Sequence, residues 1–267
     1  MRANRASTAL LEVKDLDKIF QGGSRPITAI DKLSLAIEPH EFVSIVGPSG
    51  CGKSSFLHII GGFEQASGGL VTLDGQPIGA PGPDRGMMFQ ELSLFPWLTA
   101  LENVCWPLEM KSLPKAERTQ KALQYLDEVH LSRYADLYPA QLSGGMKQRV
   151  ALARLFALDP KILLMDEPFG AVDSQTRELL QEQLQLIWRR DRKTALFVTH
   201  DIEEAIYLGT RLIVFTARPG RIKADIRIPG VDRTAEFRKS REFLSIREQV
   251  WDLLRDEVLK AREVEGE

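Results

Sequence analysis

Cysteine is scarce. Two residues in 267, Cys51 and Cys105, give no disulfide framework, and Cys51 sits inside a glycine-rich loop, which suits a reducing compartment. Charge imbalance is missing too. Lys and Arg number 35 against 37 Asp and Glu, a formal net charge of −2, so there is no electrostatic case for nucleic acid as the main partner. Long hydrophobic runs are absent. Ile162-Leu163-Leu164-Met165 is among the longest and falls far short of the ~20 residues a membrane helix needs. Arg2 and Arg5 make the start basic, but Leu10-Leu11 runs directly into Glu12, so no signal peptide is expected. We find no internal repeat and no low-complexity segment. What remains is a chain long enough for one large α/β domain with a smaller lobe.

Against that background one stretch stands out: Gly47-Pro48-Ser49-Gly50-Cys51-Gly52-Lys53-Ser54, followed by Ser55. It fits the phosphate-loop pattern at every fixed position. Glu41 to Val46 before it reads as a buried strand, and Ser55 to Ile60 after it reads as a helix stopped by Gly61-Gly62. Glycines let backbone N–H groups converge on phosphate oxygens, and the following helix points its positive end at the same anion. Lys53 is the residue to reach the β- and γ-phosphates, and the Ser54 hydroxyl the one to ligate Mg²⁺.

Taken in order, Leu10 to Phe20 alternates apolar and charged residues and reads as an edge strand. Thr28 to Ile37 reads as a strand pair broken at Asp31-Lys32, and Asp74-Gly75 marks a hairpin. Arg85 to Phe89 is a short buried strand ending at Gln90. From Glu91 helical periodicity takes over, with helices expected at 100–111 and 115–130. Strands return at Lys161. Ser174 to Asp191 is helix, Thr194 to Val198 strand and Ile202 to Leu208 helix, the last opened by Asp201 and Glu204 at capping-box spacing. Arg211 to Thr216 and Arg221 to Ile228 form a hairpin around Arg218-Pro219-Gly220. Ser240 to Glu265 is an amphipathic helix with Phe243, Leu244, Ile246, Val250, Leu254 and Val258 on one side. Alternating βαβ units argue for a mainly parallel sheet. The expected organisation is a nucleotide domain over 1–229, a helical lobe inserted at about 91–157, and a short helical extension over 230–267.

Two further elements carry chemistry. Ile162 to Glu167 is an apolar strand ending in carboxylates. Beside a phosphate loop, Asp166 reads as the residue holding the metal shell and Glu167 as a general base for in-line attack on the γ-phosphate. Leu142-Ser143-Gly144-Gly145-Met146-Lys147-Gln148-Arg149 offers a second helix N-terminus with Ser143 as cap, built to meet an anion. Because the chain already has its own γ-phosphate site, this second cap suits a nucleotide held by another subunit.

These elements together resemble the ATPase subunits of ABC transporters, over about Leu10 to Pro229. The resemblance implies a phosphate-loop NTPase fold of the ABC-ATPase type: α/β, with a mainly parallel core sheet, an antiparallel β subdomain and an inserted helical lobe. It implies ATP and Mg²⁺ as ligands. It also implies roles for four more residues. Gln90 would sense Mg²⁺ and the attacking water, Asp173 would line a dimer interface, His200 would contact the γ-phosphate, and Phe20 would stack on adenine. Three positions depart from the commonest family pattern: Met146 stands where glutamine is usual, Phe20 where tyrosine is usual, and Val172 where leucine is usual. A narrower resemblance, in Leu94-Phe95-Pro96-Trp97-Leu98-Thr99 and Ala217-Arg218-Pro219-Gly220-Arg221, is to the nitrate, sulfonate and taurine importer ATPases.

The expectation is therefore the ATP-hydrolysing subunit of a small-solute importer. It would work as a homodimer bound to transmembrane permease subunits at the cytoplasmic face of the inner membrane, served indirectly by an extracytoplasmic solute-binding protein. The rivals are a soluble ABC ATPase of translation or DNA repair and a regulatory module that binds ATP without turnover. One phosphate loop, a short helical lobe and no basic stripe argue against the first. Glu167 and His200 together argue against the second.

Overall fold

The computed structural model describes residues 9–21, 25–170, 172–229, 233–234 and 236–265, the last four as backbone. Arg2, Arg5, Gly22, Gly23 and Ala171 lie outside the described residues. The chain forms two compact units, one made of residues 1–81 and 194–267 and the other of residues 82–193 inserted between them.

The first unit begins with an antiparallel sheet of β1 (Leu11–Phe20), β2 (Ile27–Ile37), β4 (Gly68–Leu73) and β5 (Gln76–Pro77), in the order β2-β1-β4-β5. Two sequence expectations change here. β1 is not an edge strand but pairs on both sides, with β2 and with β4. Its alternation reports one dry and one wet face and says nothing about its edges, where backbone groups do the pairing. Likewise β2 is one strand, not a broken pair. Lys32 takes a φ of 46° and the pairing continues across an irregularity, while the Lys32 N–H donates to Asp17 Oδ1 at 2.8 Å. Between β4 and β5, Asp74 and Gly75 both have positive φ, 53° and 73°, as a tight hairpin requires.

The same unit holds the parallel strands that carry the loop. β3 (Phe42–Val46) lies between β8 (Thr194–Val198) and β9 (Arg211–Phe215), parallel to both, and β10 (Ile222–Arg227) runs antiparallel to β9. All five residues of β3 and of β8 are buried, which is why both read as continuous apolar runs. Helices α1 (Lys53–Gly61), α6 (Ile202–Leu208) and α7 (Arg241–Glu265) complete the unit. Asp201 caps α6 by accepting from the Glu204 N–H at 3.1 Å. The expected reciprocal bond is replaced: the Glu204 carboxylate is turned to the Thr199 hydroxyl instead. Along α7, Phe243, Ile246, Val250 and Leu254 are buried as expected, but Leu244 and Val258 are exposed and Glu257 is buried in their place.

The second unit contains β6 (Arg85–Met88), α2 (Ala100–Glu109), α3 (Lys115–Glu128), α4 (Gly144–Leu158), β7 (Ile162–Asp166) and α5 (Ser174–Asp191). β6 and β7 are parallel neighbours. Thr99 opens α2 with a full capping box, Oγ1 accepting from the Glu102 N–H at 3.2 Å while Glu102 Oε2 accepts from the Thr99 N–H at 2.8 Å. Among the described residues no helix is long and apolar enough to cross a membrane.

Candidate active site

In the first unit, strand register carries two groups to one end of the sheet. Ile45 pairs with Val198 in parallel register, so the loop starting at Gly47 and the segment at His200 leave β3 and β8 at the same end. That carboxyl end is where ligands sit in open α/β sheets. The Thr199 N–H donates to Ile45 O at 3.1 Å and joins the two exits.

The loop is built for backbone approach. Gly50 and Gly52 have φ of 70° and 101°. A Cβ on Gly52 would lie 2.8 Å from Ala29 O, so both its torsion and its space call for glycine. Lys53 is buried, and its Nζ donates to Gly47 O and Pro48 O, each at 2.8 Å. Those are neutral acceptors, and an anionic phosphate makes a stronger charge-assisted bond to the same ammonium. The Ser49 and Ser54 side chains are exposed while Pro48 and Cys51 are buried. Burial pushes the Cys51 thiol up, with Lys53 opposing, which leaves Cys51 a protonated packing group.

Phe20 ends β1 with its ring exposed and Lys18 Nζ 4.6 Å from the ring centroid. His200 is exposed and lines a groove of about 820 Å³ with Asp201, Glu203, Arg247 and Trp251 of the same unit.

The second unit holds the acidic and signature residues. Met88 pairs with Met165 in the parallel β6–β7 register, so Gln90 and Glu167 follow from the same end of that pair. Asp166 is buried, Glu167 is half-buried and Gln90 is exposed. Glu167 holds a φ of 44°, an uncommon torsion for a residue with a Cβ, and its carbonyl accepts from the Gly170 N–H at 3.1 Å.

The signature helix α4 starts as its sequence demands. Ser143 accepts from the Met146 N–H at 3.3 Å, and Ser143 and Gly144 are both exposed. Its two glycines differ. A Cβ on Gly145 would lie 2.6 Å from the Thr176 methyl carbon of α5, whereas one on Gly144 would meet nothing within 4 Å. Asp173 caps α5, accepting from the Thr176 N–H at 3.0 Å. That backbone bond is the main cause of its lowered carboxyl pKa.

Three residues whose contacts have no signature in the sequence organise this unit. Gln148 of α4 donates to Pro168 O at 2.7 Å and so ties the signature helix to the turn after Glu167. Arg154 donates to Ser93 O and Leu92 O at 2.9 and 3.0 Å and stacks 5.5 Å from the Phe95 ring centre. Asn103, fully buried, bonds the backbone of 95–99. Their side chains stand on or beside helices where polar residues usually face water, and only tertiary contact reveals them.

The comparisons with known proteins bear on this constellation. The chain belongs to the ABC transporter family, which hydrolyses ATP: the family's model matches residues 30–170. It is similar to an uncharacterised ABC transporter ATP-binding protein of Methanocaldococcus jannaschii, 48% identical over 251 residues, 94% of this chain and 93% of that one. It is 44% identical to the nitrate import ATP-binding protein of Synechocystis, over 92% of this chain and 95% of that one. To the taurine import ATP-binding protein of Pseudomonas entomophila it is 43% identical, over 91% and 95%. The fold is that of the ATP-binding cassettes. A dimeric post-hydrolysis cassette solved with ADP and phosphate matches with a TM-score of 0.74 and 38% identity, over 83% of this chain and all of that one.

Proposed function

We propose that this protein is the ATP-hydrolysing subunit of an importer for a small solute of the nitrate, sulfonate or taurine kind. It would be seated on permease subunits at the cytoplasmic face of the membrane, with an extracytoplasmic solute-binding protein delivering to the permease. The observation that carries the nucleotide reading is the loop at 47–55, where glycines at positive φ, an inward Lys53 and a helix N-terminus coincide. The importer reading rests on the names of the relatives and on the aromatic segment 94–106 described below.

In this reading the backbone amides of Gly47 to Ser55 cradle the phosphates of ATP, Lys53 Nζ moves from the loop carbonyls to the β- and γ-phosphates, and Phe20 stacks on adenine. Ser54 and Asp166 are hard oxygen donors, few in number, the set Mg²⁺ takes when phosphate and water supply the rest. That ion would shield the phosphate charge. Glu167 would accept a proton from the attacking water, Gln90 would orient that water and help hold the metal, and His200 would hydrogen-bond the γ-phosphate.

Ser143, Gly144 and Gly145 serve the nucleotide of a second copy, and Asp173 lies at the same interface. Gly144 supports this. Among the described residues a Cβ at Gly144 would meet nothing within 4 Å, so the glycine leaves the exposed helix start open to a close approach from outside. Two copies then close on two ATP molecules and open when the γ-phosphate leaves. The segment from Leu94 to Trp106 forms much of the permease contact. Trp97 is 69% exposed and Trp106 46%, and Phe95 stacks between them at 5.6 and 5.0 Å. Exposed, clustered aromatics anchor interfaces. Glu167→Gln tests the chemistry. It should keep ATP binding and lower turnover roughly 10²–10⁴-fold, and hydrolysis near the parental rate would move the base elsewhere.

A further inference from the structure

The Ala217-Arg218-Pro219-Gly220-Arg221 segment has no role in the chemistry above, yet it is packed against the back of the phosphate loop. A Cβ on Gly220 would lie 2.3 Å from Cys51 O, so this turn touches the loop's backbone. It is fixed there by Gly220 N–H donating to Ala29 O at 2.8 Å, by Asp31 N–H donating to Gly220 O at 3.2 Å, and by the Arg221–Asp31 ion pair. The turn closes on itself through Thr216, whose hydroxyl donates to Pro219 O at 2.9 Å and accepts from the Arg221 N–H at 3.0 Å. Its other side is held from α7. Glu257 is 2% exposed, and its carboxylate accepts from the Ala217 N–H at 2.8 Å. The same carboxylate is braced by Lys223 Nζ at 2.8 Å and Lys260 Nζ at 2.9 Å, and Lys223 also donates to Leu253 O at 2.8 Å.

We propose that Glu257 on the C-terminal helix is a positioning residue for the phosphate loop, acting through the Thr216–Arg221 turn. The link is a rigid one. The carbonyl of Cys51 and the N–H of Gly52 belong to one planar peptide, so a contact that sets the carbonyl sets the direction of the amide. Gly52 N–H is one of the amides assigned above to the phosphates, and on that reading this inference rests. A merely stable α7 would not need the carboxylate. Its neighbours on the buried face are Phe243, Ile246, Val250 and Leu254, and an apolar residue of similar size generally serves a helix face as well as a buried ion pair does. What a carboxylate adds is direction, a bond to one particular backbone N–H. The C-terminal helix thereby governs how well the loop holds nucleotide, and it is a point from which nucleotide affinity can be adjusted without touching the reacting groups.

The test uses the full-length chain and four variants, with ADP affinity by calorimetry and KM and kcat for ATP. Glu257→Ala should raise the ADP Kd and the ATP KM roughly tenfold, the effect of one charge-assisted bond lost at the turn, with kcat within about twofold. Glu257→Gln, which retains an oxygen for Ala217 N–H, should shift both much less. Ile246→Ala loosens the same helix where it makes no bond to the turn, and should lower the thermal midpoint while leaving Kd and KM in place. If Glu257→Ala shifts neither constant, or Ile246→Ala shifts them as far, the coupling is overturned and Glu257 is structural only. Lys53→Ala separates the two readings. If it leaves ADP affinity intact, the phosphate-loop assignment fails and this inference with it. If it abolishes binding while Glu257→Ala does nothing, only the coupling fails.

Discussion

Asn103→Ala is the perturbation from which the structure makes its sharpest stability claim. Asn103 sits in the first turns of α2 with no solvent exposure. Its Oδ1 accepts from Phe95 N–H at 2.9 Å, and its Nδ2 donates to Phe95 O, Leu98 O and Thr99 O at 3.2, 3.0 and 2.9 Å. One amide thus stands in for the secondary structure that residues 95–99 lack. Two of the carbonyls keep another donor, since Leu98 N–H reaches Phe95 O at 3.1 Å and Asn103 N–H reaches Thr99 O at 2.9 Å. Phe95 N–H loses most. Leaving one buried donor unsatisfied costs about 1–3 kcal/mol, and each weakened neighbour adds about 1 kcal/mol or less. The sum is about 3 kcal/mol, which in a chain of this size lowers the thermal midpoint by roughly 6–12 °C.

The assay is thermal unfolding followed by tryptophan fluorescence, because Trp97 lies on the segment that Asn103 holds and Trp106 on the same helix as Asn103. Asn103→Asp is the discriminating companion. It keeps the acceptor for Phe95 N–H but sets a carboxylate against three carbonyl oxygens, so it should fall at least as far as alanine near neutral pH. A midpoint within about 2 °C of the parent for alanine, or an aspartate variant as stable as the parent, would refute the reasoning. Basal ATPase should survive in whichever variant remains folded.

Three other outcomes are expected. Mixing Lys53→Ala chains with Gly144→Asp chains should restore partial ATPase over either parent, since heterodimers regain one intact composite site; no recovery despite proven heterodimers would remove the action in trans. Trp97→Ala should leave basal ATPase nearly intact and weaken assembly with the permease by ~2 kcal/mol, read by co-purification on one preparation; loss of fold or of basal activity would make the ring a packing residue. For acid stability, burial alone would raise Glu257, but bonds from Lys223, Lys260 and Ala217 N–H more than offset it and hold the carboxyl at about 2 against an ordinary 4.5. A depressed carboxyl stabilises the fold above its unfolded value, so this contribution should be fully present above pH ~4.5 and drain away toward pH ~2, and Glu257→Gln should flatten that limb in urea titrations.

Much of this was legible in the chain itself, for reasons that differ from element to element. The starts of α5 and α6 fall where local chemistry puts them, because Asp173 and Asp201 are caps and caps act within one turn. The phosphate loop was legible because its torsions need glycine at fixed positions. β1 was misplaced at an edge because pairing is made by backbone groups common to all residues, and side-chain alternation cannot count neighbours. The face of α7 was misread at Glu257 for a related reason. Its partners Ala217 and Lys223 lie far away in sequence, so periodicity favoured Val258 over a charged residue that proves buried. Gln148, Arg154 and Asn103 were passed over on the same ground: each bonds backbone carbonyls of a loop, and carbonyls carry no sequence signature.

The two glycines of the signature show how far such reasoning extends to partners. Gly145 is accounted for inside the chain, since any Cβ there would run into Thr176. Gly144 is not, since among the described residues a Cβ there would meet nothing within 4 Å. On the proposed reading, a glycine that relieves no contact among the described residues leaves room for something that approaches from outside. Ser143 beside it is exposed while its oxygen takes one N–H of the helix start, so the remaining first-turn amides point toward the same approach. Under the proposed dimer, an anion brought by a second copy would account for both features at once, whereas a solvent-facing helix start accounts for the cap alone.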